Sequence, residues 1–303
     1  MNRYSRRGFS ALSAACATGT LFSSFLETKA FCSAPHWPIH GFSKHFQDLD
    51  ANELADFANK VGWQGVDLTV RKGGHIPPEE AETLLPKFIK VLRSHGQLVQ
   101  MITTDIKEAA TDSSQRILRV ASDNGIRMYR FAYWTYDPAT PITQQLDQIR
   151  SQLDPIARLN RSLKITGGFQ NHSGEKYVGA SVWDIWYLLK EFDPREVSMF
   201  FDIGHAVIEG GLSWPTDWRL VSQHVAAIYA KDFRWQKTGP SANVEWCEFG
   251  QGFVPGRFFQ SLNESSWSGP ISLHHEYALP NEPLARLEKV HGDTLALRRA
   301  FAS

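Results

Sequence analysis

The stretch Phe200-Phe201-Asp202-Ile203-Gly204-His205, preceded by Glu196-Val197-Ser198-Met199, decides how the chain reads. Its apolar run is short and closes abruptly on a carboxylate, with a glycine and then an imidazole behind it. A short apolar run bounded by a turn signal is the pattern of a buried strand. A strand that stops on Asp and is followed by Gly and His presents two chemically active groups at one mouth of a sheet. The same event recurs at Gln170-Asn171-His172, Lys231-Asp232 and His275-Glu276.

Outward from that stretch, short apolar runs alternate with longer amphipathic ones. Strands are expected near Pro38–Ser43, Gly65–Val70, Gln97–Thr103, Ile126–Phe131, Leu163–Phe169, Val197–Asp202, Val225–Lys231 and Pro270–His275. Helices are expected at Ala51–Val61, Pro78–His95, Ser113–Asn124, Ile142–Leu159, Val182–Phe192, Asp217–His224, Pro255–Asn263 and Leu284–Ala300. Asp50 followed three residues later by Glu53 is a capping box for the first helix. This alternation is that of an α/β protein, a single-domain (β/α)8 TIM barrel. A doubly wound open sheet is the competing layout. No Gly-x-Gly-x-x-Gly turn follows an early strand, which opposes it and any nucleotide cofactor. The longest irregular stretch, Arg234 to Gly252, is the expected active-site loop.

The 303 residues carry no net charge, and 42% are hydrophobic and 21% charged, as in an ordinary globular protein. There is no basic stripe, so nucleic acid and anionic membrane surfaces are excluded as first partners. Ten Trp and nineteen Phe pack cores, and some can stack on sugar rings at a pocket mouth. Ser5-Arg6-Arg7-Gly8-Phe9 resembles a twin-arginine export signal. A mildly apolar stretch from Ala11 to Leu26 and small-residue sites at Thr28-Lys29-Ala30 and Cys32-Ser33-Ala34 follow it. Residues 1–34 are therefore assigned to a signal segment, residues 35–303 to the barrel, and the product to the periplasm. Thr, Ser and Gly interrupt the apolar stretch, against a stable membrane span. Cys247 alone remains beyond the signal, too few thiols for a disulfide framework or a Cys-rich zinc site.

In a barrel of this type the chemistry sits where the strands end. In order, the ends offer Ser43-Lys44-His45; Asp67, Thr69, Arg71 and His75; Thr103, Thr104 and Asp105; Arg130, Tyr133 and Trp134; Gln170, Asn171 and His172; Asp202 and His205; Lys231 and Asp232; His275 and Glu276. Asp202 alone could be a helix cap and His205 alone a core histidine. Five consecutive strands ending in metal-binding or proton-moving groups are harder to read that way.

These segments resemble the xylose-isomerase-like TIM barrels, the sugar isomerase and epimerase superfamily. Gln-Asn-His-Ser-Gly (170–174) is similar to that family's Glu-Asn-His segment, and Phe-Asp-Ile-Gly-His (201–205) to its Asp-x-x-His segment. Ala-Lys-Asp-Phe (230–233) is similar to its Lys-Asp segment, Glu248 to Gly256 to its Gly-x-Gly loop, and His-His-Glu (274–276) to its last-strand glutamate. The resemblance implies a divalent ion, Mn²⁺ or Mg²⁺, with Asp202 and Glu276 as ligands. Gln170 stands where the family has a glutamate and Tyr229 where it has a histidine. A Gln carbonyl can ligate a hard cation without adding charge, and a neutral Tyr is a poor ligand. Gln170 cannot be a base, so two-base epimerisation with this carboxylate pair is disfavoured. The expectation is aldose–ketose isomerisation, or elimination from a keto-sugar, on a small non-phosphorylated sugar or keto-glycoside. Glu276 is the base, Asp202 orients the substrate, His205 and Lys231 polarise its oxygens, and His172 is a second proton carrier. Two alternatives are a non-catalytic carbohydrate-binding barrel with a decayed metal site, and a phosphodiester-cleaving endonuclease. The retained polar cluster opposes the first; the neutral charge and missing ligands oppose the second.

Overall fold

The computed structural model describes residues 37–239 and 241–302. The signal segment expected over residues 1–34 lies outside the described residues. Seven strands come first: β1 (Ile39–Phe42), β2 (Gly65–Val70), β3 (Leu98–Thr104), β4 (Met128–Arg130), β5 (Thr166–Gln170), β6 (Val197–Asp202) and β7 (Val225–Ala230). A hairpin of β8 (Asp232–Thr238) and β9 (Ser241–Cys247) follows, and then β10 (Ile271–Leu273). Strands β1 to β7 and β10 close into one parallel barrel, with β10 paired to both β7 and β1. The barrel is the eight-stranded TIM architecture expected from the strand–helix alternation.

The period of two explains how each strand serves two cores. On β2, Val66, Leu68 and Val70 join the apolar cluster shared with the helices. Asp67, between them, turns into the bore, where it accepts hydrogen bonds from Thr103 Oγ1 and Ser272 Oγ at 2.9 Å each. Met101, Phe200, Ala227 and Tyr229 form a separate apolar plug. The bore is thus filled with side chains and is closed beneath the mouth.

Helices α1 (Ala51–Val61), α2 (Ala81–Ser94), α3 (Asp112–Asp123), α4 (Ile142–Leu163) and α5 (Val182–Leu189) pack outside the first strands. They are followed by α6 (Ile203–Gly210), α7 (Trp214–Val221), α8 (Gly256–Asn263) and α9 (Pro283–Ala302). The Asp50 capping box is present: its Oδ1 accepts from Asn52 N and Glu53 N at 2.8 and 2.9 Å, while Glu53 Oε2 accepts from Asp50 N at 2.9 Å. Among the described residues, no helix is long and apolar enough to cross a membrane.

Two expectations change. One helix was expected after β6, over Asp217–His224; α6 and α7 are both there, and α6 starts immediately at Ile203. The stretch Arg234–Gly252 is largely an antiparallel hairpin, with Asp232 paired to Cys247 and Trp235 to Val244. Its side chains are mostly exposed, so it carries little of the apolar signal that marks a core strand.

Asp232 fastens the loop behind that hairpin. Its carboxylate accepts from the backbone amides of Phe233 at 2.8 Å, Gly250 at 3.0 Å, Gly252 at 2.9 Å and Val254 at 3.0 Å. Gly252 is required by the close approach, since a Cβ there would lie 2.2 Å from the Phe233 carbonyl oxygen. Asp232→Ala leaves four amides without their acceptor. It should lower unfolding free energy by on the order of 3 kcal/mol, read by urea denaturation. A loss below about 0.5 kcal/mol, the range of an ordinary surface change, would show that the loop does not depend on this carboxylate.

Candidate active site

The site is assembled around Asp202, which is 0% exposed at the end of β6. Its Oδ1 accepts from the backbone N of His205 at 3.1 Å and so caps α6. The Asp-x-x-His spacing is therefore that of an N-cap and the third residue of a helix, which brings the imidazole back beside the carboxylate. Cap and functional group are the same residue here. Asn171 clamps the Asp202 backbone, donating from Nδ2 to its carbonyl at 2.9 Å and accepting its N–H on Oδ1 at 2.7 Å.

The second carboxylate oxygen of Asp202 faces two donors. Gln170 Nε2 lies at 2.8 Å and Lys231 Nζ at 3.1 Å. Tyr133 Oη donates to Gln170 Oε1 at 2.5 Å, which fixes the amide with its nitrogen toward Asp202. Lys231 is 3% exposed, and its Nζ also lies 3.8 Å from Glu276 Oε1. Lys44 Nζ reaches the other Glu276 oxygen at 3.0 Å. One buried ammonium thus sits between the two carboxylates that the family resemblance assigns to a metal.

The electrostatics follow from this packing. Burial pushes the Asp202 carboxyl up, but the Lys231 ammonium and then His205 outweigh it and hold it down at about 2. Burial lowers Lys231, and the Asp202 and Glu276 carboxylates more than restore it, so it stays protonated above its ordinary range. Burial raises Glu276; His274, Lys231 and Lys44 together draw it well below the usual carboxylate range. His205 is driven well below 6.5, first by burial and then by Lys231. Burial also lowers His172. Both imidazoles are neutral at pH 7. Ser173 Oγ lies 2.8 Å from His205 Nδ1, and the rings of His172 and His205 are 4.1 Å apart.

These groups line a mouth cavity of about 300 Å³. One wall is Trp246 of β9: the Lys231 Nζ stands 4.8 Å from the indole, and His205 meets it edge-on at 5.3 Å. Gln170, His172, His205, Lys231 and Glu276 all face this cavity, with Asp202 directly beneath. His275 does not: it turns outward, with Nε2 3.5 Å from Asp293 Oδ2. Its neighbour His274 faces in, as the strand period requires when Glu276 does. Tyr229 is fully buried in the bore plug, its ring 4.4 Å from His274. Ser173, His274 and Trp246 were not expected in the site; only the parity with Glu276 could have pointed to His274.

The residues do not fit a divalent ion at the position the resemblance implies. Gln170 presents its amide nitrogen to Asp202, and the Lys231 ammonium occupies the space between Asp202 and Glu276. Tyr229 lies in the plug, away from the cavity. Among the described residues, no group of three or more His, Cys, Asp or Glu could hold a metal ion.

The closed barrel with a polar mouth defines a TIM-barrel protein with its site at the C-terminal strand ends. The chain belongs to the xylose isomerase-like TIM barrel family, whose model matches residues 55–291. Solved structures share the fold at low identity. The 3-keto-D-glucoside 4-epimerase of E. coli is 11% identical, with 87% of this chain and 100% of that one covered and a TM-score of 0.66. A D-psicose 3-epimerase crystallised in the presence of D-fructose is 11% identical, covering 88% and 100%, with a TM-score of 0.64. A xylose isomerase-like protein of Mycobacterium smegmatis in complex with magnesium is 14% identical, covering 88% and 98%, with a TM-score of 0.63. None of the curated proteins matches the sequence.

Lys231→Met should strand the buried Asp202 charge and cost about 3–5 kcal/mol at pH 7. Because the folded pKa of Asp202 is depressed, its contribution is full above the ordinary carboxylate pKa of about 4 and is lost as pH falls through about 2. The deficit of the variant should therefore shrink as pH drops from 7 to 3, measured by denaturant melts across that range. A pH-independent deficit would mean that the pair contributes packing only.

Proposed function

We propose that the protein is a sugar isomerase, or a lyase on a keto-sugar. It would act by removing a proton α to a carbonyl of a non-phosphorylated sugar or keto-glycoside. The observation that carries this reading is the Lys231 ammonium, buried and held protonated beside the ionised Glu276 at the floor of a monosaccharide-sized cavity. A fixed cation next to a carboxylate base is what enolisation requires: one group takes the proton while the other meets the charge developing on oxygen. That sugar epimerases share the fold supports the substrate class.

In this reading Glu276 takes the α-proton and Lys231 donates a hydrogen bond to the carbonyl oxygen. The contacts that keep Glu276 ionised also weaken it as a base. A substrate carbonyl that draws the ammonium away restores its basicity at the moment of reaction. Return of the proton from Glu276 to the neighbouring carbon gives the isomer; departure of a β-oxygen substituent, which takes that proton from Glu276 and leaves as water or an alcohol, gives the unsaturated keto-sugar. His172, neutral and close to His205, carries protons between substrate oxygens. Asp202 keeps Lys231 charged and in place. Gln170 has no carboxylate to offer the opposite face of the carbon, so a two-base inversion through it is not part of the scheme. Divalent metal is not required, because Lys231 already supplies positive charge at that point. Trp246 offers an apolar face for the sugar ring.

The test is a turnover screen on free aldoses, ketoses and 3-keto-glycosides, with C–H exchange from D₂O as readout. Glu276→Gln should lower exchange by about 10²–10⁴-fold, and treatment with EDTA should leave the wild type unchanged. Unaltered exchange in Glu276→Gln would remove the base assignment. The rate should show no limb near pH 6.5 from His205, since burial holds that imidazole well below its ordinary value. A limb at 6.5 that vanishes in His205→Gln would contradict that. Export to the periplasm belongs to the same proposal. Residues 1–34 fused to a folded reporter should carry it out of the cytoplasm, and Arg6→Lys/Arg7→Lys should retain it inside.

A further inference from the structure

The wall opposite Lys231 and Glu276 carries two cations that the scheme above does not use. Arg71 follows β2 and Arg130 closes β4. The barrel order β1-β2-β3-β4-β5-β6-β7-β10 puts β2 four places from β6 and β4 four places from β10. Arg71 therefore stands across the mouth from Asp202, and Arg130 across from Glu276. Both line the same cavity of about 300 Å³.

Their surroundings differ from those of the lysines. Lys44 and Lys231 are paired with Glu276 and Asp202. Among the described residues, neither Arg71 nor Arg130 makes an ion pair with a carboxylate. Arg130 is 3% exposed, and its Nη1 is buried without a hydrogen-bond partner. Its Nη2 has only a long 3.4 Å contact to the Thr104 carbonyl, and the guanidinium lies 4.6 Å from the Tyr133 ring centre. Arg71 lies over Phe42 at 6.0 Å. The nearby acids are otherwise engaged or out of contact: Asp67 accepts from Thr103 and Ser272, and Asp105 acts on Arg71 without touching it. A buried guanidinium with a free N–H is costly unless an acceptor completes it. The buried Arg130 fork, with the half-buried Arg71 on the same wall, matches a planar, two-oxygen anion.

We infer that Arg71 and Arg130 bind a carboxylate on the substrate, so that the sugar is acidic. The inference rests on the proposed sugar reading and narrows it. A hexuronate fits both walls at once: its carbonyl end meets Lys231 and Glu276, and its carboxylate, at the other end of the six-carbon chain, meets the arginines. A phosphate ester would compete for the same two guanidiniums, and the 6-phosphate arm of the test separates it from a carboxylate.

The test compares ligands on the full chain by calorimetry, using D-glucuronate, D-galacturonate, D-glucose, D-galactose and D-glucose 6-phosphate. At least one uronate should bind tenfold or more tightly than its neutral counterpart, about one charge-assisted contact in size. Arg71→Gln should lower that preference, read as the ratio of uronate to neutral-sugar affinity. Arg71 sits on the rim and anchors no element. If that variant fails to fold, the wild-type ratio of acid to neutral sugar still decides. Equal binding of acid and neutral sugars overturns the carboxylate site and leaves the sugar reading standing. Preference for the 6-phosphate over both uronates overturns the carboxylate assignment. Failure to bind any of the five overturns the acidic-sugar assignment, while the exchange screen above decides the sugar reading on its own.

Discussion

The mouth of this barrel depends on one buried interaction, the Lys231 ammonium held at 3.1 Å from Asp202 and 3.8 Å from Glu276. Removing an ammonium and a carboxylate from water costs several kcal/mol each, and mutual attraction offsets that only with well-placed companions. The companions are present. Gln170 and the His205 amide satisfy Asp202, Lys44 braces Glu276, and the Trp246 ring covers the ammonium. The same set fixes the protonation states, with both carboxylates ionised, the lysine charged and the imidazoles neutral.

The two departures from the family pattern are coherent when seen from this pair. An amide at position 170 donates to Asp202, where a carboxylate would repel it and would need a metal between them. A tyrosine at position 229 fills the bore as apolar bulk beside Phe200 and His274. Both changes suit a site whose central cation is a side chain.

Much of the architecture was legible because the strands are buried on both faces, and such runs stand out between amphipathic stretches. The strand ends were legible for the same reason, since polar residues that interrupt an apolar run mark the mouth. The hairpin was not, because its described residues between 234 and 245 are mostly exposed and carry no core pattern; with it went Trp246. The immediate start of α6 was hidden because Asp202 serves as cap and as site residue at once. The sequence shows that Gln170, Lys231 and Glu276 end strands. It does not show which end of the Gln170 amide turns to Asp202, a choice made by the Tyr133 hydroxyl from another strand. Nor does it show how far the Lys231 side chain reaches.

The central claim is that the Lys231 ammonium occupies the position at which this family's pattern implies a metal. Anomalous diffraction from crystals soaked in Mn²⁺ tests it most directly. The account predicts no anomalous peak between Asp202 and Glu276, with continuous side-chain density placing Lys231 Nζ there. A strong peak between the two carboxylates, with Lys231 displaced and the Gln170 carbonyl turned toward the ion, would contradict it.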